Sequence, residues 1–404
     1  MYISHITHKK RIRGLVITQI ILFILNPFAS LCTCIYKLSS RRELARKEYN
    51  ALYIFIALFW AVLAFTQKTD TGDISRVYEY SIRDSENIGG VVIGFRASLF
   101  SLINAYIYTI TGNVQYISLL WIFLLYYLVL KSILNIIEYK NKNLCGNQVY
   151  YLVTAMFCFM IFTQVTEIMK QAVVAGLFFY SFTSLINGRK RISVVAYLMS
   201  FGIHPTAFFY APLYTAPFFK SKNVLVVLVI ISFLFRVFNL MEFVMMVSQN
   251  IPFLSSINEI AEGYNEQHIE NFFRSDSFYF AVSFIIYFAT VMYAFIRDKE
   301  NSILLRICML MVIILNLNYS NSHNFTRMML MLFPFYIIIY MELFKHVGID
   351  SIVRRLFVIL FGICSLYIQY GRLYGGGIYV TSFMDNSITK IVFSPLYYYL
   401  TTTI

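Results

Sequence analysis

Long apolar runs recur along this chain, near 15–36, 50–66, 116–137, 149–165, 172–187, 223–247, 277–296, 302–320, 328–344 and 356–371. A helix needs about 20 such residues to cross a bilayer. In lipid every backbone polar group must be satisfied internally, so only helices and closed barrels span. The alternating pattern of a membrane barrel is absent. Only 13% of the residues are charged, where soluble globular domains average about 25%. The chain therefore reads as all-α, a polytopic integral membrane protein of about 10–13 transmembrane or re-entrant helices. No repeat, low-complexity tract or linker interrupts it, so 1–404 reads as a single membrane domain.

Charge gives the orientation. The net charge of +13 fits basic cytoplasmic loops under the positive-inside rule. Nucleic-acid binding would need a soluble basic domain, and the sequence has none. Placing "RKR" at 189–191, Lys220 with Lys222, Arg297 with Lys299, and Lys345 through Arg355 inside gives a nearly consistent map. Loops of about 67–96 and 248–276 then face outward, as do "TEIMKQ" (166–171), "NSHNFTR" (321–327) and the tail after Gly371. Most of the acids fall in those outer segments, which places chemistry on the outer face. Two segments are irregular. The stretch 192–219 is too short for two spans and reads as a broken pair bending at His204–Pro205, because proline disfavours helix before it. The stretch 97–111 reads as re-entrant or surface-lying. "KKRIR" at 9–13 and "RRELARK" at 41–47 are separated by one ordinary span, so the N-terminal orientation stays open. The six cysteines lack metal or redox spacing and read as small apolar residues. With no small-residue cleavage site, the first apolar run reads as an uncleaved span.

Four polar clusters can carry chemistry. The loop "TDTGDISRVYEYSIRDSE" (69–86) sets Asp70 and Asp73 beside Arg76, Tyr78 and Tyr80. A carboxylate there can take a proton from a sugar hydroxyl. The same pair can instead hold a divalent cation through oxygen, or belong to a solvated turn. In "TEIMKQAVVAG" (166–176), Glu167, Lys170 and Gln171 share a helical face. Ionisable groups at membrane depth usually face a bundle interior or a watery cavity. Lys170 can hold a phosphate as a point charge, and Gln171 can donate to a sugar or phosphate oxygen. A hairpin cap would use the same residues. His204, in "FGIHPTAFFYAPLY" (201–214), sits at a helix break and can act as a base or a donor, or as an ordinary core histidine. Arg327, one turn from His323, opens a span where it can bind phosphate in two-pronged fashion or reach to lipid headgroups. Arg236 and Arg96 are weaker candidates of that kind. No Walker loop, dinucleotide fingerprint, zinc pattern or nucleophile elbow is present, and no cofactor or metal is assigned.

In order and spacing these clusters resemble the EpsG-like group of Wzy-type polysaccharide polymerases. That group shows an acidic-tyrosine loop after its second span, here "TGDISRVYEY", and an Arg-Gln opening an Ala-rich helix, here "MKQAVVAGLFFYSF" before "NGRKR". A His element follows, here "GIHPTAFFYAPLY", then a late Arg, here "NFTRMMLMLFPF", and an aromatic end, here "SPLYYYL". Lys170 stands where the group has Arg, and Thr206 where it has Ser. The resemblance implies a GT-C-like glycosyltransferase architecture in the bacterial inner membrane, with the active site facing the periplasm. It implies inverting transfer of a growing glycan from undecaprenyl diphosphate to a lipid-linked repeat unit. Asp73 or His204 would be the base, with Glu167 a third choice. Lys170, Gln171, Arg327, Arg76, Arg96 and His323 would bind substrate or diphosphate, and Tyr78, Tyr80 and Tyr264 would line sugar or lipid contacts. The implied partners are the undecaprenyl diphosphate-linked oligosaccharide, membrane lipids and a chain-length regulator protein. A flippase for lipid-linked oligosaccharide and an O-antigen ligase are the alternatives.

Overall fold

The computed structural model describes residues 2–40, 44–68, 73–86, 88, 99–140, 146–234, 236, 275–298, 300–319, 325, 327–329, 331–343, 349–374 and 382–401. The chain divides into two units, 1–207 with 365–404, and 208–364.

In the first unit, the run expected to be one span at 15–36 is two helices, α1 (Tyr2–Leu25) and α2 (Pro27–Ser39). Pro27 has no N–H and pushes Asn26 out of the helical region, to φ −162° and ψ 104°. Asn26 then caps the new helix, accepting from the Ala29 N–H at 2.9 Å. Ser30 donates to Gln19 Oε1 at 2.7 Å and ties the two helices together. Next come α3 (Arg46–Phe65), whose first turn is capped by Glu48 accepting from the Ala45 N–H at 2.8 Å, and the short strand β1 (Gln67–Lys68).

The segment expected as an outer loop holds a helix, α4 (Asp73–Glu86). Ile74, Val77, Tyr78 and Ser81 are buried along one side, while Arg76, Glu79, Tyr80 and Arg83 are exposed. Spacing of i, i+3, i+4 and i+7 is what an amphipathic helix lying on a bundle needs. Its neighbour α5 (Leu99–Thr111) has 13 residues, about 20 Å of helix, short of the ~30 Å hydrocarbon layer. Its length suits the re-entrant reading of 97–111. A turn at Gly112, where φ is +66°, leads into α6 (Gln115–Lys140). Trp121 of α6 stacks on Phe100 of α5 at 4.9 Å and donates to Asn104 Oδ1 at 2.7 Å, closing that hairpin.

The run expected as a span at 149–165 is also broken. The helix α7 (Gly146–Phe159) stops, Ile161 takes an extended conformation, and a six-residue helix, α8 (Phe162–Glu167), follows. Ile168 breaks the helix again at φ −95° and ψ 42° before α9 (Met169–Ile186). Every residue of α8 is buried, Thr163, Gln164, Thr166 and Glu167 included. Irregular backbone at membrane depth is tolerated where protein encloses it. A Gly188 cap at φ +76° then turns the chain into α10 (Lys190–Ile203). There Arg189 N–H bonds Ser184 O and Gly188 N–H bonds Leu185 O, both at 2.9 Å, a Schellman ending.

Among the described residues, α3, α6 and α9 are long and apolar enough to cross a membrane. They pack side by side, α3 on α6 and α9 between α6 and α10. Gly176 makes the α6–α9 approach close, since a Cβ there would stand 2.8 Å from Leu125 Cδ1. At one end Glu138 of α6 pairs with Arg46 at 2.9 Å and Arg189 at 2.7 Å. At the other end Phe65 meets Tyr116, with ring centres 5.0 Å apart. There the tail returns as β2 (Ser382–Phe383), antiparallel to β1 with Gln67 opposite Phe383. The strap is pinned by Asp385, which accepts from Lys390 at 2.7 Å and Lys68 at 3.4 Å.

The second unit begins after the break at His204–Pro205, with a helix at Ala207–Tyr210 crossing its boundary and a 3-10 stretch at Ala211–Phe218. Helices Lys222–Leu234, Ser275–Arg297, Ile303–Leu317 and Phe333–Glu342 follow, and Ile349–Tyr374 leaves the unit again. Pro334 sits in the first turn of its helix, where the missing N–H costs nothing. At one end Lys222 donates to the carbonyls of Phe295, at 2.7 Å, and Asp298. Beside them Arg306 Nε donates to Asn301 O at 2.9 Å. The expected loop 248–276 lies outside the described residues apart from its last two.

Candidate functional site

The hairpin α9–α10 fixes where the polar residues stand. Ser181 donates to the Ser193 carbonyl at 2.7 Å, which sets the register of this antiparallel pair. Lys170 precedes Ser181 by the same eleven residues by which His204 follows Ser193. At 1.5 Å per residue both lie about 16 Å from that bond, so they share one level of the hairpin. The start of α5 connects them. Lys170 Nζ lies 5.2 Å from the centre of the Phe100 ring. A Cβ on Gly202, two residues before His204, would stand 3.1 Å from Leu99 Cβ.

The carboxylates come from α4, which packs on both α5 and α8. Among the described residues, Asp73 and Asp84 are the acids within electrostatic reach of Lys170. They lie eleven residues apart on α4, three helical turns, and so share a face. Asp73 also pairs with Arg76 at 4.0 Å, but the Arg76 side chain is 68% exposed, and water screens such a pair. Lys170 is half-buried and Gln171 buried. Glu167 ends α8 and is 9% exposed. Tyr78 faces inward rather than into an open loop. Its hydroxyl meets Ser118 Oγ at 2.6 Å, and burial pushes its phenol up to about 12, with the Ser118 bond opposing.

His204 closes α10 in extended conformation, φ −160° and ψ 141°. Its Nδ1 accepts from the Thr206 N–H at 3.2 Å and meets Thr206 Oγ1 at 3.1 Å. A ring nitrogen that accepts carries no proton, so the neutral ring keeps its proton on Nε2 and presents a donor there.

The structure thus gathers Asp73, Lys170, Gln171 and His204 at one end of the first unit, with Glu167 at the break beside them. Arg327 belongs to the second unit, half-buried two residues past Phe325. Asp70, Arg96, His323 and Tyr264 lie outside the described residues.

Several buried polar groups near α8 have no signal in a single polar cluster of the sequence. Gln67 is fully buried with both amide atoms unpartnered, and Thr163 Oγ1, Gln164 Oε1 and Gln171 Oε1 are likewise buried and unpartnered. An aromatic chain links them, since Phe162 packs 4.9 Å from Phe383, opposite Gln67, and 4.9 Å from Trp60. Asp84 was also missed; its three-turn offset from Asp73 was the available sign. Among the described residues no three His, Cys, Asp or Glu side chains gather as a metal set.

Chemically, this end of the unit offers a cation partly shielded from water, carboxylates beside it, and neutral donors and acceptors around a helix break. No curated protein and no solved structure gives a match. The EpsG family model matches residues 49–383, from the first turn of α3 to the last residue of β2. That range covers most of the chain and every residue gathered at this site, so the chain belongs to the EpsG family, a Wzy-like polymerase-associated family of membrane proteins.

Proposed function

We propose that this protein is a polysaccharide polymerase, transferring a growing glycan from undecaprenyl diphosphate to a lipid-linked repeat unit on the periplasmic face of the bacterial inner membrane. The family supports polymerase-like glycosyl transfer. The observation that carries the finer reading is Lys170, half-buried over Phe100 and level with His204, beside the helix α5 on which the Asp73-bearing α4 packs.

In this reading an acceptor hydroxyl attacks the anomeric carbon of the donor sugar from the face opposite the diphosphate. A new C–O bond forms, the bond to the diphosphate oxygen breaks with its electron pair, and configuration inverts. Asp73 takes the hydroxyl proton. Lys170 holds the departing diphosphate as a fixed charge. The His204 tautomer favours a donor role, with Nε2–H aimed at an oxygen that gains charge. Gln171 and the amides around α8 suit sugar hydroxyls. A chain-length regulator protein is a proposed partner.

Complementation of a polymerase-deficient strain tests this, read as the glycan ladder on a gel. Wild-type protein should restore the ladder, and Asp73→Asn should remove it while single repeats still reach their acceptor. Loss of both ladder and single repeats would indicate a ligase or flippase. Full ladders from Asp73→Asn and His204→Ala alike would refute the site, while Arg327→Ala tests a separate phosphate contact of the second unit.

A further inference from the structure

The second unit holds a guanidinium that the site above does not use. Arg236 follows the helix Lys222–Leu234, and three helical segments close around it. Its Cζ lies 4.3 Å from the ring centres of Phe284 and Tyr319 and 4.7 Å from that of Phe233. Nε donates to Asn316 Oδ1 at 2.8 Å, and Asn316 in turn donates to Ser232 Oγ at 2.7 Å. The cage is braced from behind, since Phe325 packs on Tyr319 at 5.1 Å and on Phe284 at 5.9 Å. Arg327 follows two residues later, in the same unit.

This is an enclosed setting for a charge that no described carboxylate balances. Among the described residues no carboxylate pairs with Arg236, and its titratable neighbour is the Tyr319 phenol. Nη2 is buried and has no partner. Aromatic faces soften the loss of water around a guanidinium, and Asn316 fixes the plane of the fork. Neither supplies a counter-charge. A cation shielded this way in a membrane protein marks a ligand site more often than a packing feature. The fork geometry selects phosphate or carboxylate oxygens, and in a chain of apolar helices the anions at hand are lipid headgroups.

We propose that Arg236 is the anchor of an anion site in the second unit that takes the phosphoryl head of an isoprenoid or other lipid, through Nη2. The lipid diphosphate named here as substrate rests on the polymerase reading; the anion site rests on the cage alone.

The test is thermal unfolding of the full-length protein in a non-ionic detergent, with farnesyl diphosphate, inorganic pyrophosphate or phosphatidylglycerol added. Binding to the folded state raises Tm by mass action. Farnesyl diphosphate should raise Tm by about 2 °C or more, and Arg236→Met should abolish that shift. Arg236→Met keeps the volume but leaves Asn316 Oδ1 without its donor, so each shift is measured from that variant's own unliganded Tm. An equal shift from pyrophosphate assigns the site to a free diphosphate, and one from phosphatidylglycerol to bilayer phosphate. No shift from any probe, or a full shift in Arg236→Met, overturns the proposal. Should Arg236→Met not fold, Arg236→Lys decides. It keeps the charge and loses the fork, so the shift should fall at least by half, and an undiminished shift overturns the proposal. None of these readouts uses polymerisation, so a wild-type protein that binds but restores no ladder removes the polymerase reading and leaves the anion site standing.

Discussion

Lys170 is the residue whose chemistry is most exposed to test. It stands over Phe100, half-buried, with Asp73 and Asp84 as its nearby charges. As a point charge it needs no forked geometry, so Lys170→Arg should keep the glycan ladder. Lys170→Ala should cut polymerisation about 100-fold, the usual loss when one group that stabilises developing charge is removed. Amounts of protein in the membrane must be equal for the comparison. A normal ladder from Lys170→Ala would reduce the turn to a hairpin cap. The sequence alone places Lys170 and Gln171 on one face, because helical spacing is a local property. It does not reveal that His204 stands level with them. That follows from the Ser181–Ser193 bond, a contact between two helices. Gln67 is harder still. A single amide after an apolar run looks like the first polar residue of a loop. It pairs with Phe383, more than three hundred residues away, and is fully buried.

At the scale of elements, α6 and α9 touch through Gly176. Gly176→Ala displaces only the end of the Leu125 side chain and should be nearly neutral. Gly176→Leu forces the helices apart and should cost about 1–3 kcal/mol, seen as a lower unfolding temperature in detergent. The β1–β2 strap makes a second prediction. Its Asp385 sits outside the bundle, and the bonds from Lys390 and Lys68 hold its carboxyl below the ordinary carboxylate range. Lys390 is correspondingly raised, by its bond to Asp385 first. The depressed carboxyl steadies the strap above the unfolded value near pH 4 and loses that effect as pH falls through the lower folded value. The raised ammonium acts up to its unfolded value near pH 10 and loses its effect as pH rises through the higher folded value. Strap cleavage by a protease should therefore be flat from about pH 5 to 9 and rise below about 4. Asp385→Asn should be cleaved faster across that plateau. An unchanged rate would mean the strand pairing alone holds the strap. Some elements could be read in advance. Pro27 marks the break between α1 and α2 and the spacing of Ile74, Val77 and Tyr78 marks α4, although from the sequence the first reads as one span and the second as a loop. The break at Met160–Ile161 could not, because neither residue is Gly or Pro and both suit a helix in lipid. The structure shows that protein encloses the helix that follows it.

At the scale of the molecule, the first unit is polar in the electrical sense. Arg46, Arg189 and Lys190 gather with Glu138 at one end of α3, α6 and α9, while Asp73, Asp84 and Glu167 lie toward the other. From Lys170 to Ile186 the helix α9 rises about 24 Å, most of a hydrocarbon layer of about 30 Å. The two ends therefore belong at opposite membrane surfaces. The positive-inside rule would put the Arg189 end in the cytoplasm, and Lys170 and α4 outside. Single cysteines report this directly. Arg76 and Arg191 are both exposed and lie toward opposite ends of the unit. In intact spheroplasts a membrane-impermeant maleimide should label Arg76→Cys, and Arg191→Cys only after lysis, with the parent protein giving the background of its six native cysteines. The reverse pattern would put the Lys170 end in the cytoplasm. That outcome would refute the proposed periplasmic site. Labelling of both from outside would mean that α9 and α10 do not cross as a pair, and the shared level of Lys170 and His204 would have to be explained within one leaflet.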